Sequence, residues 1–327
     1  MTAMQYTMLG KTGLRVSVAG LGLGGNSRIG QGTGLSQAQS VGLIREAYDQ
    51  GVNCFDTAEA YGTEEILGAA FSPAERSKVV ISTKSRIQQG ANRLTPAEVV
   101  ANLETSLKKL KTDNVDVFLL HGVAPDAYDY ARNELAPALL KEKAKGKLKH
   151  FGLSESSPLD PEQKVLQRAV ADPTWEVAML AYHMMNQGAR RDVFPKSRQS
   201  GLGTLMMFVV RNVFSKPQLL AETMAKLAAE GKVPAEMGRS PDPLGFLVHE
   251  GGASSLIDAA YRFVRHEPGC DVVLFGTGSS AHLKSNIASI LAPPLPPRDV
   301  ARLHELFSHL RGVGLDFPDR MKAPGKG

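Results

Sequence analysis

Four residues of the 327-residue chain have the types and spacing to move a proton onto an oxygen: Asp56, Tyr61, Lys84 and His121. Asp56, Lys84 and His121 close the apolar runs VNCFD, KVVISTK and VDVFLLH, and Tyr61 lies in the loop after the first of them. A phenol with an ordinary pKa of about 10 is a poor acid at neutral pH, but a nearby ammonium favours the phenolate and eases proton release. Lys84 would supply that charge, and Asp56 would hold the ammonium charged and aimed. His121, kept neutral, would orient a substrate oxygen and donate to it as negative charge develops. Taken singly, these residues have plainer explanations: a capping aspartate, a solvated turn lysine, a satisfied core histidine. Only a fold that gathers them at one place turns them into proton-transfer machinery acting on a carbonyl.

The rest of the sequence predicts such a fold. Buried-strand candidates fall at about 17–22, 52–56, 78–84, 115–121, 148–153, 176–181, 203–208 and 271–275. Helical patterns alternate with them at about 36–50, 64–71, 96–110, 129–145, 160–171, 189–199, 254–266 and 279–290, with Ser36 and Thr95 as N-caps. Eight strand-helix units imply parallel strands closing into a single α/β (β/α)8 TIM barrel rather than an open doubly wound sheet. In a barrel the C-terminal ends of adjacent strands share one mouth, so the four residues converge there. Residues 5–18 read as an N-terminal β-hairpin across the bottom of the barrel. Residues 209–252, rich in proline around an amphipathic stretch at 218–230, form a long loop after strand 7 that is expected to act as an active-site lid. Residues 297–327 are expected to form a C-terminal helix (298–312) and a breaker-rich tail, mobile at its end.

Composition narrows the function classes. Lys and Arg number 38 against 33 Asp and Glu, a net charge of +5 without basic runs flanked by aromatics, so nucleic acid is not an expected partner. No cleavable leader pattern or membrane-spanning apolar stretch is present, and the two cysteines, Cys54 and Cys270, sit in apolar runs. The expectation is a reduced cytoplasmic protein, a monomer or small homo-oligomer, acting on a small molecule without a metal.

Gly20-Leu-Gly-Leu-Gly-Gly25 satisfies the G-x-G-x-x-G spacing, but about ten residues of loop follow before Ser36. A dinucleotide fingerprint needs a helix opening at the glycines, so a Rossmann site is not expected. Gly24 and Gly25 instead leave room beside a barrel strand for the flat face of a ligand.

Phe55-Asp-Thr-Ala-Glu-Ala-Tyr-Gly62, Ser82-Thr-Lys84, Asp116-Val-Phe-Leu-Leu-His121 and Gly146-Lys-Leu-Lys-His-Phe-Gly-Leu-Ser154 closely resemble the aldo-keto reductase superfamily from about Leu9 to Asn286. The resemblance implies reduction of an aldehyde, ketone or aldose with a nicotinamide cofactor, usually NADPH with NADH possible. Tyr61 would be the general acid, Asp56 and Lys84 would tune it, and His121 would position the carbonyl. Cofactor contacts are implied for Asp56 and for Ser154 after strand 5. Phe208 is implied at the end of strand 7, or Met207 one residue earlier. After strand 8 the implied contacts are Gly276, Thr277, Gly278, Ser279, His282 and Asn286. The chain departs from the common pattern at Glu155 (for Asn), Met179 (for Gln), Gly276 (for Lys) and His282 (for Arg), with Lys284 and Arg211 as cations that could compensate. Asn186-Gln-Gly-Ala-Arg190 resembles a bacterial subgroup with sugar dehydrogenase-like members and suggests a hydroxylated substrate.

Two other functions fit parts of the pattern. A lysine ending a barrel strand can form a Schiff base, making Lys84 the nucleophile of a lyase. A non-catalytic, cofactor-binding regulator could use the same barrel.

Overall fold

The computed structural model describes residues 2–315; the DFPDRMKAPGKG tail lies outside the described residues. Eight parallel strands close into a barrel in the order β10-β11-β12-β3-β4-β5-β8-β9. They are β3 (Ala19–Gly22), β4 (Cys54–Asp56), β5 (Val80–Arg86), β8 (Val115–Val123), β9 (Leu148–Glu155), β10 (Val177–Ala181), β11 (Gly203–Met207) and β12 (Val272–Phe275). A hairpin, β1 (Tyr6–Met8) with β2 (Arg15–Ser17), precedes the barrel, and a small ribbon, β6 (Gln88–Gln89) with β7 (Asn92–Arg93), follows β5.

Side chains alternate across each strand, and the inward set forms its own core of Cys54, Val80, Val117, Leu119, Val177, Met179, Leu205 and Val272. Leu9, from the turn of the first hairpin, joins this core with no exposed surface. Its burial contributes roughly 1.5–3 kcal/mol. The turn is held to the barrel by Gly10 N–H on Asp271 (3.0 Å) and Lys11 N–H on the Gly201 carbonyl (2.8 Å). The expected bottom hairpin is therefore a plug whose apolar tip fills the barrel end opposite the mouth.

The outward set packs under the helices. Ser36 caps helix Gln37–Asp49 with a reciprocal pair of bonds to Gln39, and Thr95 caps Pro96–Leu110 in the same way through Glu98. Three expected helices differ in detail. The helix expected at 129–145 passes through a π-helical stretch at Ala131–Leu135. The one at 160–171 starts only at Lys164, because Gln163 adopts a left-handed backbone. The one at 189–199 breaks at Val193, ahead of Pro195.

The segment after β11 holds helices Asn212–Ser215, Pro217–Ala229 and Ala235–Arg239, where the sequence predicted one amphipathic stretch. Val213, Phe214, Leu220, Met224 and Leu244 from this segment are buried in the outer core, so the insertion packs onto the barrel. The last helix among the described residues is Pro297–Phe307, shorter than expected. No helix among the described residues is long and apolar enough to cross a membrane.

Candidate active site

The period of two in the strands decides which polar side chains face the barrel axis. Asp56 follows Cys54 on the inward face of β4, Lys84 follows Val80 and Ser82 on β5, and His121 follows Val117 and Leu119 on β8. The register sets Asp56 beside Gly22 and Ser82, and Lys84 beside Leu119. The four expected residues therefore meet at the mouth.

Lys84 is fully buried and donates to both Asp56 oxygens and to the Thr57 carbonyl, each at 2.7 Å. Burial alone would lower the pKa of its ammonium; the Asp56 charge and then Tyr61 outweigh burial and hold it above the ordinary lysine range. Lys84 Nζ lies 5.1 Å from the centre of the Tyr61 ring, and the Tyr61 hydroxyl lies 3.4 Å from His121 Nε2. The two rings meet edge to face at 5.5 Å. Tyr61 and His121 are both partly exposed, whereas the Lys84–Asp56 pair beneath them is sealed from water. A phenol open to a ligand above a buried, paired ammonium can release a proton and tolerate the charge left behind.

The loop carrying Tyr61 is a short 3-10 turn, Glu59–Tyr61, ended by Gly62 in a left-handed conformation. Thr57 and Thr63 close it through their hydroxyls (2.9 Å), and Glu59 pairs with Arg86 at the end of β5. The ring lies on Gly24: a β-carbon there would stand 2.5 Å from it.

His121 owes its position to a bulge that no strand pattern in the sequence signals. The β8–β9 register shifts between Leu120 and Val123, with Gly122 at φ +68° and its N–H on Ser154 Oγ (2.9 Å). Bulges of this kind re-aim side chains beside active sites, and glycine supplies the positive φ. Ser154, accepting from Gly122, keeps its own hydroxyl proton for a ligand.

Phe208 directly follows β11 with φ +63°, a strained conformation for an aromatic residue that costs about 1–3 kcal/mol. Its ring is partly exposed and carries the Arg211 guanidinium 4.2 Å from its centre. After β12, Thr277 Oγ1 accepts the Ser279 N–H (3.0 Å), and Ser279 caps helix Ser280–Leu291 through the His282 N–H. Gly278 packs on Gly30, where a β-carbon would stand 2.8 Å from its Cα. His282 is exposed, with Asn286 one turn further on the same face.

The family model for the aldo/keto reductase family matches residues 20–307. The chain belongs to this family. Over 310 residues it is 27% identical to an aldo-keto reductase of Bacillus subtilis, YhdN, covering 86% of this chain and 87% of that one. It is 30% identical to an L-galactose dehydrogenase of Arabidopsis thaliana over 212 residues, a match that spans 63% of this chain and 65% of the relative. The holo form of an aldo-keto reductase from Bacillus halodurans superposes with a TM-score of 0.68 at 19% identity, covering 93% of this chain and 96% of that chain, a likeness of fold.

Several departures of this aldo-keto reductase from the common pattern acquire a structural role. Met179 pairs in register with Ser154 and belongs to the inner core. Glu155 is buried, and its Oε1 accepts the Ala181 N–H (2.7 Å) and the Ser157 hydroxyl (2.9 Å), tying the end of β9 to the end of β10. Burial pushes its carboxyl up to about 8 against the pull of those donors, so it is mostly protonated at neutral pH. Asn186 is buried, with Oδ1 on the Gly312 N–H (3.2 Å), and so holds the segment after the last helix. Lys284 is paired with Glu46 (3.1 Å), which also accepts from Ser280 (2.6 Å). Positions 280 and 284 lie on the opposite helix face from 282 and 286.

Proposed function

We propose that this oxidoreductase reduces the carbonyl of an aldehyde, ketone or aldose, or oxidises the corresponding alcohol, with Tyr61 as general acid and NADPH as cofactor, NADH also being accepted. The observation that carries the proposal is the stack of Tyr61 and His121 over the buried Lys84–Asp56 pair.

The residues present fit a nicotinamide dinucleotide. Gly25 has open space around it, Ser154 has a hydroxyl proton to offer a carboxamide, and Phe208 presents a ring at the mouth. The turn Gly276–Ser279 leads into a helix start, where backbone N–H groups suit a phosphate, with His282 and Asn286 along the same helix. Asp56 would border the nicotinamide end, as Gly24 would beside Tyr61. When bound, the cofactor supplies the hydride.

The protein's own groups do the rest. His121 Nε2 and the Tyr61 hydroxyl bracket a carbonyl oxygen, and Tyr61 passes its proton to that oxygen as negative charge builds. The Lys84 ammonium stabilises the charge left on the phenolic oxygen, and Asp56 keeps Lys84 charged in its dry setting. In the alcohol-oxidising direction the phenolate takes the proton back. The insertion at 209–252 would serve as a lid over the mouth of a single catalytic domain. A small carbonyl compound or sugar, a reducing cytoplasmic setting and a monomer or small homo-oligomer complete the proposal, consistent with Cys54 and Cys270 as free thiols.

The experiment is a fluorescence titration with NADPH and NADH on wild type and Tyr61→Phe, followed by turnover on aldehydes, ketones and aldoses. The substitution should lower kcat by about 10²–10⁴ while cofactor binding holds. Unchanged turnover would remove Tyr61 from the role. A Schiff-base reaction at Lys84 is disfavoured by its charged, fully buried pairing; borohydride trapping with a carbonyl compound should leave Lys84 unmodified.

A further inference from the structure

We propose that Arg28 is a positioning residue for the acid: from the loop after β3 it grips the main chain of the Tyr61 loop and sets where the phenol points. The proposal rests on Tyr61 being the proton donor. Arg28 Nε donates to the Tyr61 carbonyl at 2.8 Å, and its guanidinium lies along the same stretch of backbone, since a β-carbon on Gly62 would come within 2.9 Å of Arg28 Nη2. The ring of Tyr61 rests on Gly24, and Thr63 Oγ1 donates to the Leu23 carbonyl (3.3 Å). Residues 23, 24 and 28 of one loop thus provide a tether, a floor and a latch for the acid.

The latch is held in a backbone that the chain would not adopt unaided. Arg28 has φ +44°, Ile29 φ +51° and Gly30 φ +96°, a run of three left-handed residues of which two are not glycine. A β-branched residue in that region is a steric outlier that persists only where its surroundings over-determine it. Those surroundings are the burial of Ile29 in the outer core and bonds from Arg28 N–H to the Gly24 carbonyl (3.2 Å), Gly30 N–H to Ser27 (2.7 Å) and Gly32 N–H to Ser27 (2.9 Å). The strained turn aims the Arg28 side chain at the acid loop. Because the contact is to a carbonyl of the main chain, Arg28 acts through Tyr61.

The test is a cycle of Arg28→Ala, Tyr61→Phe and the double variant, with Arg28→Lys alongside. Steady-state kinetics are measured with one carbonyl substrate, and Kd for NADPH and NADH by fluorescence. A misplacement of about 1 Å at a reacting group costs on the order of 100-fold, so Arg28→Ala should lose about 10- to 100-fold in kcat with KM and both Kd values within about twofold of wild type. Arg28→Lys, which restores a donor, should recover most of the loss, and in the double variant Arg28→Ala should add nothing to the loss from Tyr61→Phe. The proposal falls if Arg28→Ala turns over within about twofold of wild type, if its effect persists in full on the Tyr61→Phe background, or if cofactor Kd rises in step with the loss of kcat. Should Arg28→Ala unfold, the lysine variant decides alone, and a loss there as large as that of Tyr61→Phe would count against a latch served by any donor. Wild-type turnover in Tyr61→Phe by itself would instead overturn the acid assignment on which the proposal stands.

Discussion

Gly24 lies under the ring of Tyr61 so closely that a β-carbon at position 24 would stand 2.5, 2.7 and 2.9 Å from three ring carbons. Real β-carbons do not approach that near, and the same ring also meets His121 edge to face. Gly24→Ala should therefore displace the phenol and lower kcat by about 100-fold, with a loss of cofactor affinity much smaller than the loss of turnover. Steady-state kinetics with a parallel fluorescence titration check it; activity within a few-fold of wild type would show that the ring can shift harmlessly.

The buried Lys84–Asp56 pair gives an expectation for stability. Removing one partner leaves an uncompensated charge in a dry site, which costs about 3–5 kcal/mol. Asp56→Ala should lower the midpoint of urea unfolding and abolish turnover, whereas Asp56→Ala combined with Lys84→Met should recover stability without recovering activity. A single variant as stable as wild type would mean that water reaches the site.

Glu155 makes stability depend on pH. Its folded carboxyl titrates at about 8 against an ordinary 4.5, so the folded state binds the proton more tightly than the unfolded one. Its contribution is full below about pH 4.5, declines as pH rises to about 8 and is level above. Glu155→Gln keeps an oxygen for the Ala181 N–H and has no charge to bury. Measured by urea unfolding from pH 5 to 9, the variant should gain on wild type as pH rises; a constant difference across that range would show that Glu155 does not titrate there.

Cofactor choice should be shallow. Lys284 is engaged by Glu46, Arg211 lies on Phe208, and position 282, proposed above to lie along the phosphate-binding helix, carries histidine rather than a guanidinium. NADPH and NADH should bind within about tenfold of each other, and His282→Arg should tighten NADPH alone by about 10- to 100-fold through a charge-assisted bond. Isothermal titration with both forms decides; equal gains for NADH would place residue 282 away from the 2′-phosphate.

The barrel and its four central residues were legible in the sequence because both follow from short-range rules. Period-two runs mark strands, and a polar residue at the end of such a run has one place to go when the strands close into a ring. The Tyr61 loop was legible through its residue types, but what steadies it was not. Gly122, which no short-range rule singles out, is the left-handed residue of the bulge that aims His121. Phe208 and Arg28 adopt positive φ angles that no local pattern announces, because tertiary contacts impose them. Gly24 was expected to make room for a ligand and Gly278 was implied as a cofactor contact, and each also meets a neighbour within the protein, Tyr61 and Gly30. Glu155 and Met179 stood out as departures, and only the packed barrel shows that one braces two strand ends while the other fills the interior.

The seam of the barrel joins β3 to β12, pairing Ala19 with Val273, about 250 residues apart along the chain. The carboxylate that anchors the plug, Asp271, lies beside the same late strand and holds both Gly10 and Thr204. During synthesis β3, the first barrel strand to emerge, must wait unpaired on one side until β12 has followed. The wall behind Tyr61 therefore closes in one late event, when β12 reaches the open edge of β3.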